Sequence, residues 1–108
     1  MGVRKLLDSI NFKRELANDK LGIILDVRMP EEFSEERLCD SINCDYMQVD
    51  DFKKTLKTLD KSKHYYLYCM SGKRSAEACD IMEKMNFDYM VDLEGGIIRY
   101  EGELCSDN

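Results

Sequence analysis

Apolar positions follow two rhythms along this chain. Leu6, Leu7, Ile10, Phe12, Leu16 and Ala17 recur at a nearly helical period. Asp8 or Ser9 stands ready to cap that segment and Asn18-Asp19-Lys20 to stop it, so the spacing predicts a helix over about residues 8–18. Leu21-Gly22-Ile23-Ile24-Leu25-Asp26-Val27 is instead an almost unbroken apolar run, rich in β-branched residues. That is the mark of a strand covered on both faces. Pro30 suits the first turn of a helix, with Glu31 and Glu32 at the positive end of its dipole and Phe33 packed inward. Ser41-Ile42-Asn43-Cys44 suggests a short strand. Val49, Phe52, Leu56 and Leu59 share one helical face, with Asp50 or Asp51 as the expected N-cap. Lys53, Lys54 and Lys57 read as the solvated side of that helix.

His64 opens a second apolar run that ends at Cys69. Ala76, Ala78, Cys79, Ile81, Met82 and Met85 then mark a helix with an apolar inner face, and Asn86 fits its left-handed C-terminal stop. Phe87 to Leu93 reads as a further strand, Gly95-Gly96 as a sharp turn, and Ile97, Ile98 and Tyr100 as a short closing helix. Residues 1–7 and 102–108 are expected to fray. Strands and helices alternate throughout, which predicts an α/β domain with a mainly parallel central sheet. At 108 residues the chain is one domain, residues 1–108.

Composition narrows the function. Apolar residues make up 44% and charged residues 35%, as in a globular protein. A net charge of −6 disfavours nucleic-acid binding, which needs a basic face. The first eight residues lack the apolar core of a signal peptide, and no stretch has the apolar length of a membrane span. A soluble cytoplasmic protein is the expectation. There are five cysteines, Cys39, Cys44, Cys69, Cys79 and Cys105, with no Cys-x-x-Cys among them. The odd count predicts unpaired thiols. One histidine, His64, without paired ligand spacing, gives no reason to expect a metal or other cofactor.

The candidate chemistry lies at Tyr65-Tyr66-Leu67-Tyr68-Cys69-Met70-Ser71-Gly72-Lys73-Arg74-Ser75-Ala76. A buried strand ends in a thiol, a polar loop follows, and a helix begins. Open α/β sheets place their ligands at that edge. Successive loop amides over Met70, Ser71, Gly72, Lys73, Arg74 and Ser75 can form an anion-binding nest. The helix dipole and the charges of Lys73 and Arg74 add to it, and such a field favours the thiolate, the nucleophilic form. Cys69 is therefore the expected nucleophile and the loop its anion cradle. Asp26 and Arg28 close the neighbouring strand. They either face the same crevice or form an ordinary ion pair.

In order along the chain, Leu25-Asp26-Val27-Arg28 with Glu32-Phe33, then Ser41-Ile42-Asn43, then Cys69-Met70-Ser71-Gly72-Lys73-Arg74-Ser75, then Glu94-Gly95-Gly96 with Tyr100, resemble the single-domain rhodaneses. The resemblance implies a three-layer fold with helices on both faces of the sheet. It also implies sulfur transfer: Cys69 takes the outer sulfur of a donor such as thiosulfate, carries it as a persulfide, and gives it to cyanide, a thiol or a sulfur-relay protein partner. In that scheme Lys73 draws in the anionic donor and Arg74 braces the loop, against Asp26. Ser71 and Ser75 donate hydroxyl hydrogen bonds, with Ser75 equally placed to cap the next helix. Arg37 stands where the family often has His, Asp40 where it has Gly, Tyr100 where it has Trp, and Asn86 where it has Gly. These departures bear on the substrate rim and the acceptor.

Two other readings use the same residues. A cysteine-dependent phosphatase or arsenate reductase has a similar cradle, usually with five residues between Cys and Arg. Here there are four, Met70 to Lys73, which makes a nest sized for one sulfur atom. A non-catalytic binding module on the same fold is the other reading.

Overall fold

The computed structural model describes residues 2–108. In chain order its elements are β1 Val3–Leu7, α1 Ser9–Ala17, β2 Gly22–Asp26, α2 Pro30–Glu35, β3 Arg37–Leu38, β4 Ile42–Asn43, α3 Val49–Thr58, β5 His64–Tyr68, α4 Lys73–Lys84, β6 Tyr89–Leu93, a 3-10 helix Ile97–Arg99 and β7 Leu104–Cys105. The main sheet runs β1-β6-β5-β2-β4, and every neighbouring pair in it is parallel. β5 sits at its centre, with Asp26 beside Tyr68 and Asp92 beside Leu67. Parallel strands all finish at one edge. The ends of β2, β5 and β6 therefore deliver Asp26, Cys69 and Glu94 to the same side of the molecule.

Side chains of β5 alternate between two buried layers. Tyr66 and Tyr68 join Phe12 of α1, Val91 and Leu93. Tyr65, Leu67 and Cys69 join Phe52 and Leu56 of α3 and Ala78, Cys79 and Met82 of α4. That is a sheet between two helical layers, as the resemblance implies. Both layers are well filled: Phe12, Tyr66, Leu67 and Met82 are fully buried, and the Phe12 and Tyr66 rings meet edge to face at 5.4 Å. Burying one such side chain contributes about 2 kcal/mol over leaving it in water.

Local signals set several element ends. Asp8 caps α1 by accepting from Asn11 N–H at 3.0 Å. Pro30 stands in the first turn of α2. Asn86, just past α4, has φ 66°. The cap expected for α3 is shifted: Gln48 begins that helix, and Asp50 and Asp51 lie inside its first turn.

Both termini correct the expectation of fraying. β1 extends the sheet along the outer side of β6, in register from Val3 with Tyr89 to Leu7 with Leu93. It is a half-exposed edge strand, so it lacks the unbroken apolar run that betrays a central one. β7 pairs antiparallel with β3. Beside that pairing Cys39 and Cys105 form a disulfide across a sequence separation of 66. This corrects the expectation of unpaired thiols: an odd count leaves room for one long-range pair that no local spacing reveals. Cys44, Cys69 and Cys79 remain free. Among the described residues, no helix is long and apolar enough to cross a membrane.

Candidate active site

Cys69 follows directly on β5, and alternation sends its side chain to the α4 side of the sheet. Its sulfur accepts the Gly72 N–H at 3.1 Å. Gly72 is the N-cap of α4, with φ 111°, a left-handed backbone that glycine takes without strain. The chain thus doubles back within three residues, and the first turn of α4 starts over the thiol. The thiol S–H points to Ser75 Oγ at 3.5 Å, and the Ser75 hydroxyl donates to Gly72 O at 3.2 Å. Ser75 is fully buried. It lies in the first turn rather than at the cap, so its hydroxyl serves the loop.

The thiol is less open than the sequence suggests. Cys69 is 1% exposed, and of the loop amides it is Gly72 N–H that reaches the sulfur. Ser71 and Lys73 are exposed on the outer surface of the loop. Ser71 and Gly72 also form part of the wall of a neighbouring cleft of about 640 Å³, shared with Arg4, Leu6, Asp92 and Glu94.

The two adjacent cations differ. Lys73 makes no ion pair among the described residues. Arg74 forms a two-pronged pair with Glu32 of α2, Nη1 to Oε1 at 2.8 Å and Nη2 to Oε2 at 3.1 Å. Glu32 also accepts Met29 N–H at 3.0 Å, which closes the start of α2. The Arg74 guanidinium holds the Glu32 carboxyl below the ordinary carboxylate value. In turn Glu32 raises Arg74, and the sulfur of Cys69 lies close enough to add to that effect. This corrects the expected brace against Asp26.

Asp26 is committed elsewhere. Its carboxylate takes Arg28 Nη2 at 2.6 Å and the Tyr68 hydroxyl at 2.6 Å. Arg28 Nη2 also reaches Glu36 O at 2.6 Å, while Leu38 N–H donates to Tyr68 Oη at 3.1 Å. Asp26 and Arg28 are both buried. They form a structural ion pair on the Tyr68 side of the sheet, opposite the face Cys69 takes, and they fasten β3 to the strand ends. Arg37, at the position where the resemblance suggests a substrate rim, is tied to Asp107 at 2.7 Å and lies over the Phe33 ring.

Sequence reasoning missed one support of the loop. Gly95 and Gly96 do more than make the sharp turn that the sequence predicts and the resemblance includes. In the structure Ile97 N–H donates to Cys69 O at 2.9 Å and Ile98 N–H to Met70 O at 3.2 Å. A Cβ on Gly96 would overlap both carbonyls. The turn therefore clamps the backbone of the Cys69 loop, and the signal for this was the Gly-Gly pair followed by a helical start. Asp92 was likewise missed. It is a buried carboxylate within an apolar strand, and that position in the run was its only mark.

The remaining thiols are poor nucleophiles. Burial pushes Cys44 up to about 11 and Cys79 up to about 12, so both stay protonated at neutral pH. Among the described residues, no cluster of His, Cys, Asp and Glu is arranged to hold a metal ion.

A parallel α/β sandwich with a cysteine at the end of its central strand, wrapped by the start of the next helix, defines the class. The chain belongs to the rhodanese family: the family model for the Rhodanese-like domain matches residues 10–103. It is 30% identical over 104 residues to the candidate sulfurtransferase YtwF of Bacillus subtilis, covering 96% of this chain and 97% of that one. It is 35% identical over 86 residues to the tRNA uridine(34) hydroxylase of Pelagibacter ubique, covering 80% of this chain and 29% of that longer one. In structure it is similar to a Rhodanese-like domain protein from Staphylococcus aureus, with TM-score 0.81, 27% identity, and 96% and 99% of the two chains covered.

Proposed function

We propose that this protein is a sulfurtransferase that moves a sulfane sulfur from thiosulfate, or a donor of like charge, to a thiophilic acceptor through a persulfide on Cys69. The observation that carries the reading is the Cys69 sulfur at the end of the central strand, held by the Gly72 amide at 3.1 Å beneath the first turn of α4. Of the three free thiols it is the one that this turn wraps. The Cys69 thiolate attacks the outer sulfur of the donor. The donor S–S bond breaks, and sulfite leaves with the electron pair. The negative charge then rests on the terminal persulfide sulfur, where the Gly72 N–H and the dipole of α4 oppose it. Cyanide or a thiolate next attacks that sulfur, and Cys69 departs as a thiolate. Because Cys69 is 1% exposed, this reading requires the exposed outer part of the loop, with Ser71, to move aside for the donor. Lys73 draws the anion in.

Arg74 supports this reading over a phosphatase. Both its outer nitrogens are spent on Glu32, so it braces the loop and does not grip an oxyanion. The match to part of a tRNA hydroxylase shows that the same domain serves in larger proteins, and it leaves the acceptor of this chain to experiment. Intact-mass analysis after incubation with thiosulfate tests the proposal. The expected result is the gain of one sulfur atom, mapped to the Cys69 peptide and released as thiocyanate by cyanide. Cys69→Ser should abolish both while keeping the wild-type melting temperature. Wild-type protein that takes up no sulfur from thiosulfate or from other sulfane donors would refute it.

A further inference from the structure

We propose that Asp92 is a positioning residue for the nucleophile, accepting the Cys69 thiol proton through the Ser75 hydroxyl. This rests on Cys69 being the reactive cysteine, and it deepens that reading. Asp92 lies in β6, beside Leu67 of β5 and Leu6 of β1. It is 4% exposed. Its Oδ1 is the one buried side-chain polar atom among the described residues without a hydrogen-bond partner. Such a group is costly and asks for a reason.

The reason lies one hydroxyl away. Ser75 is near enough to the Asp92 carboxyl to draw its pKa down somewhat, while its hydroxyl proton is directed to Gly72 O at 3.2 Å and Asp92 Oδ1 has no partner. On its other side the same Ser75 Oγ lies 3.5 Å from Cys69 Sγ. Ser75 thus lies against the thiol on one side and near the buried Asp92 carboxyl on the other. When the Ser75 hydroxyl turns from Gly72 O towards Asp92, a relay is complete. The Cys69 S–H bond breaks and its proton passes to Ser75 Oγ. Ser75's own proton passes to Asp92 Oδ1. Nothing is oxidised or reduced, and the pair carries one negative charge before and after. The thiolate forms without adding charge to the interior, which would be expensive.

The surrounding groups suit this role. Burial is the main cause that lifts Asp92 to about 6 from the ordinary 3.8. It is therefore largely ionised at neutral pH, yet close enough to neutrality to take a proton. From β1, Arg4 lowers it, but that guanidinium is engaged by Asp80 and Glu83. Cys79 of α4 faces it and stays a thiol, pushed up to about 12. Lys5, Glu83 and Glu94 stand on the rim of the cleft that Asp92 lines, and Leu67 covers it from β5. The cleft gives the relay a route for proton exchange with water.

Alkylation of Cys69 by iodoacetamide, followed by peptide mass against pH, reads the relay without turnover. In wild-type protein the rate should rise through a step near pH 6, as the Asp92 carboxyl ionises and becomes able to take the proton. Asp92→Asn should remove that step and slow alkylation at pH 7 by about tenfold or more. Ser75→Ala should give the same curve, and the double variant should be no slower than either single one, as for parts of one unit. A step near pH 6 that survives in both variants overturns the proposal. So does faster alkylation in Asp92→Asn across the neutral range, since that marks Asp92 as a mere repelling charge. Sulfur uptake from thiosulfate is scored separately. A changed alkylation profile with no sulfur uptake keeps the relay and rejects the sulfurtransferase, and the converse rejects the relay alone.

Discussion

Lys73 and Arg74 are neighbours with the same charge and opposite fates. Arg74 is half-buried and held by both oxygens of Glu32. A planar guanidinium can do this and an ammonium cannot, so a lysine there would lose the second prong. Lys73 is exposed and unpaired among the described residues. Its charge therefore remains available to an incoming anion. Lys73→Ala should raise the KM for thiosulfate by up to about fivefold, the scale of one exposed charge pair, with the melting temperature unchanged. The gap between variant and wild type should close as salt is added, because an exposed charge is screened. An unaltered KM at low salt would show that the donor is attracted by something else.

At the level of elements, the loop is held by its neighbours more than by itself. Gly96 has φ 63° and ψ −161°, a region that glycine alone occupies readily, and it packs on the carbonyls of Cys69 and Met70. Gly96→Ala should cost roughly 2 to 3 kcal/mol. It should reduce sulfur transfer further than the lost stability explains, because the clamp of Ile97 and Ile98 on the loop is displaced. Urea denaturation gives the first quantity, and single-turnover persulfide formation, measured where the variant is fully folded, gives the second. What was legible in the sequence follows the same division. β2, β5, α1 and α4 announce themselves through local period and caps, and Cys69 with Gly72 and Lys73 is a contiguous string. Arg74 with Glu32, the approach of Ser75 to Asp92, and the Gly-Gly clamp bring distant segments together. Periodicity carries no information about them, and burial of a carboxylate in β6 looks, in the string of letters, like any polar break in a strand.

For the whole molecule, the closing step is at the C-terminus. The main sheet is complete at Leu93, yet the chain goes on to pair β7 with β3 and to join Cys105 to Cys39. Arg37–Asp107 and Ser34–Asp107 add polar ties along the same seam. The seam lies over the end of the sheet that Arg28 and Tyr68 fasten from below, through Glu36 and Leu38. The disulfide closes a loop with a sequence separation of 66. By the loop-entropy argument it stabilises the fold by about 2 to 4 kcal/mol, mainly by restricting the unfolded chain. A thiol reductant should therefore lower the unfolding free energy of wild-type protein, read from urea denaturation, by that amount and shift the midpoint down, while Cys105→Ser starts at the lower midpoint and ignores the reductant. The parallel sheet needs neither cysteine, so both reduced forms should fold and keep the circular-dichroism spectrum of the oxidised protein. Sulfur uptake at Cys69 should also persist in them, since the hydrogen bonds that hold its sulfur come from Gly72 and Ser75 and not from the seam. Equal midpoints with and without reductant would mean that the tail is held by β7 and Asp107 alone.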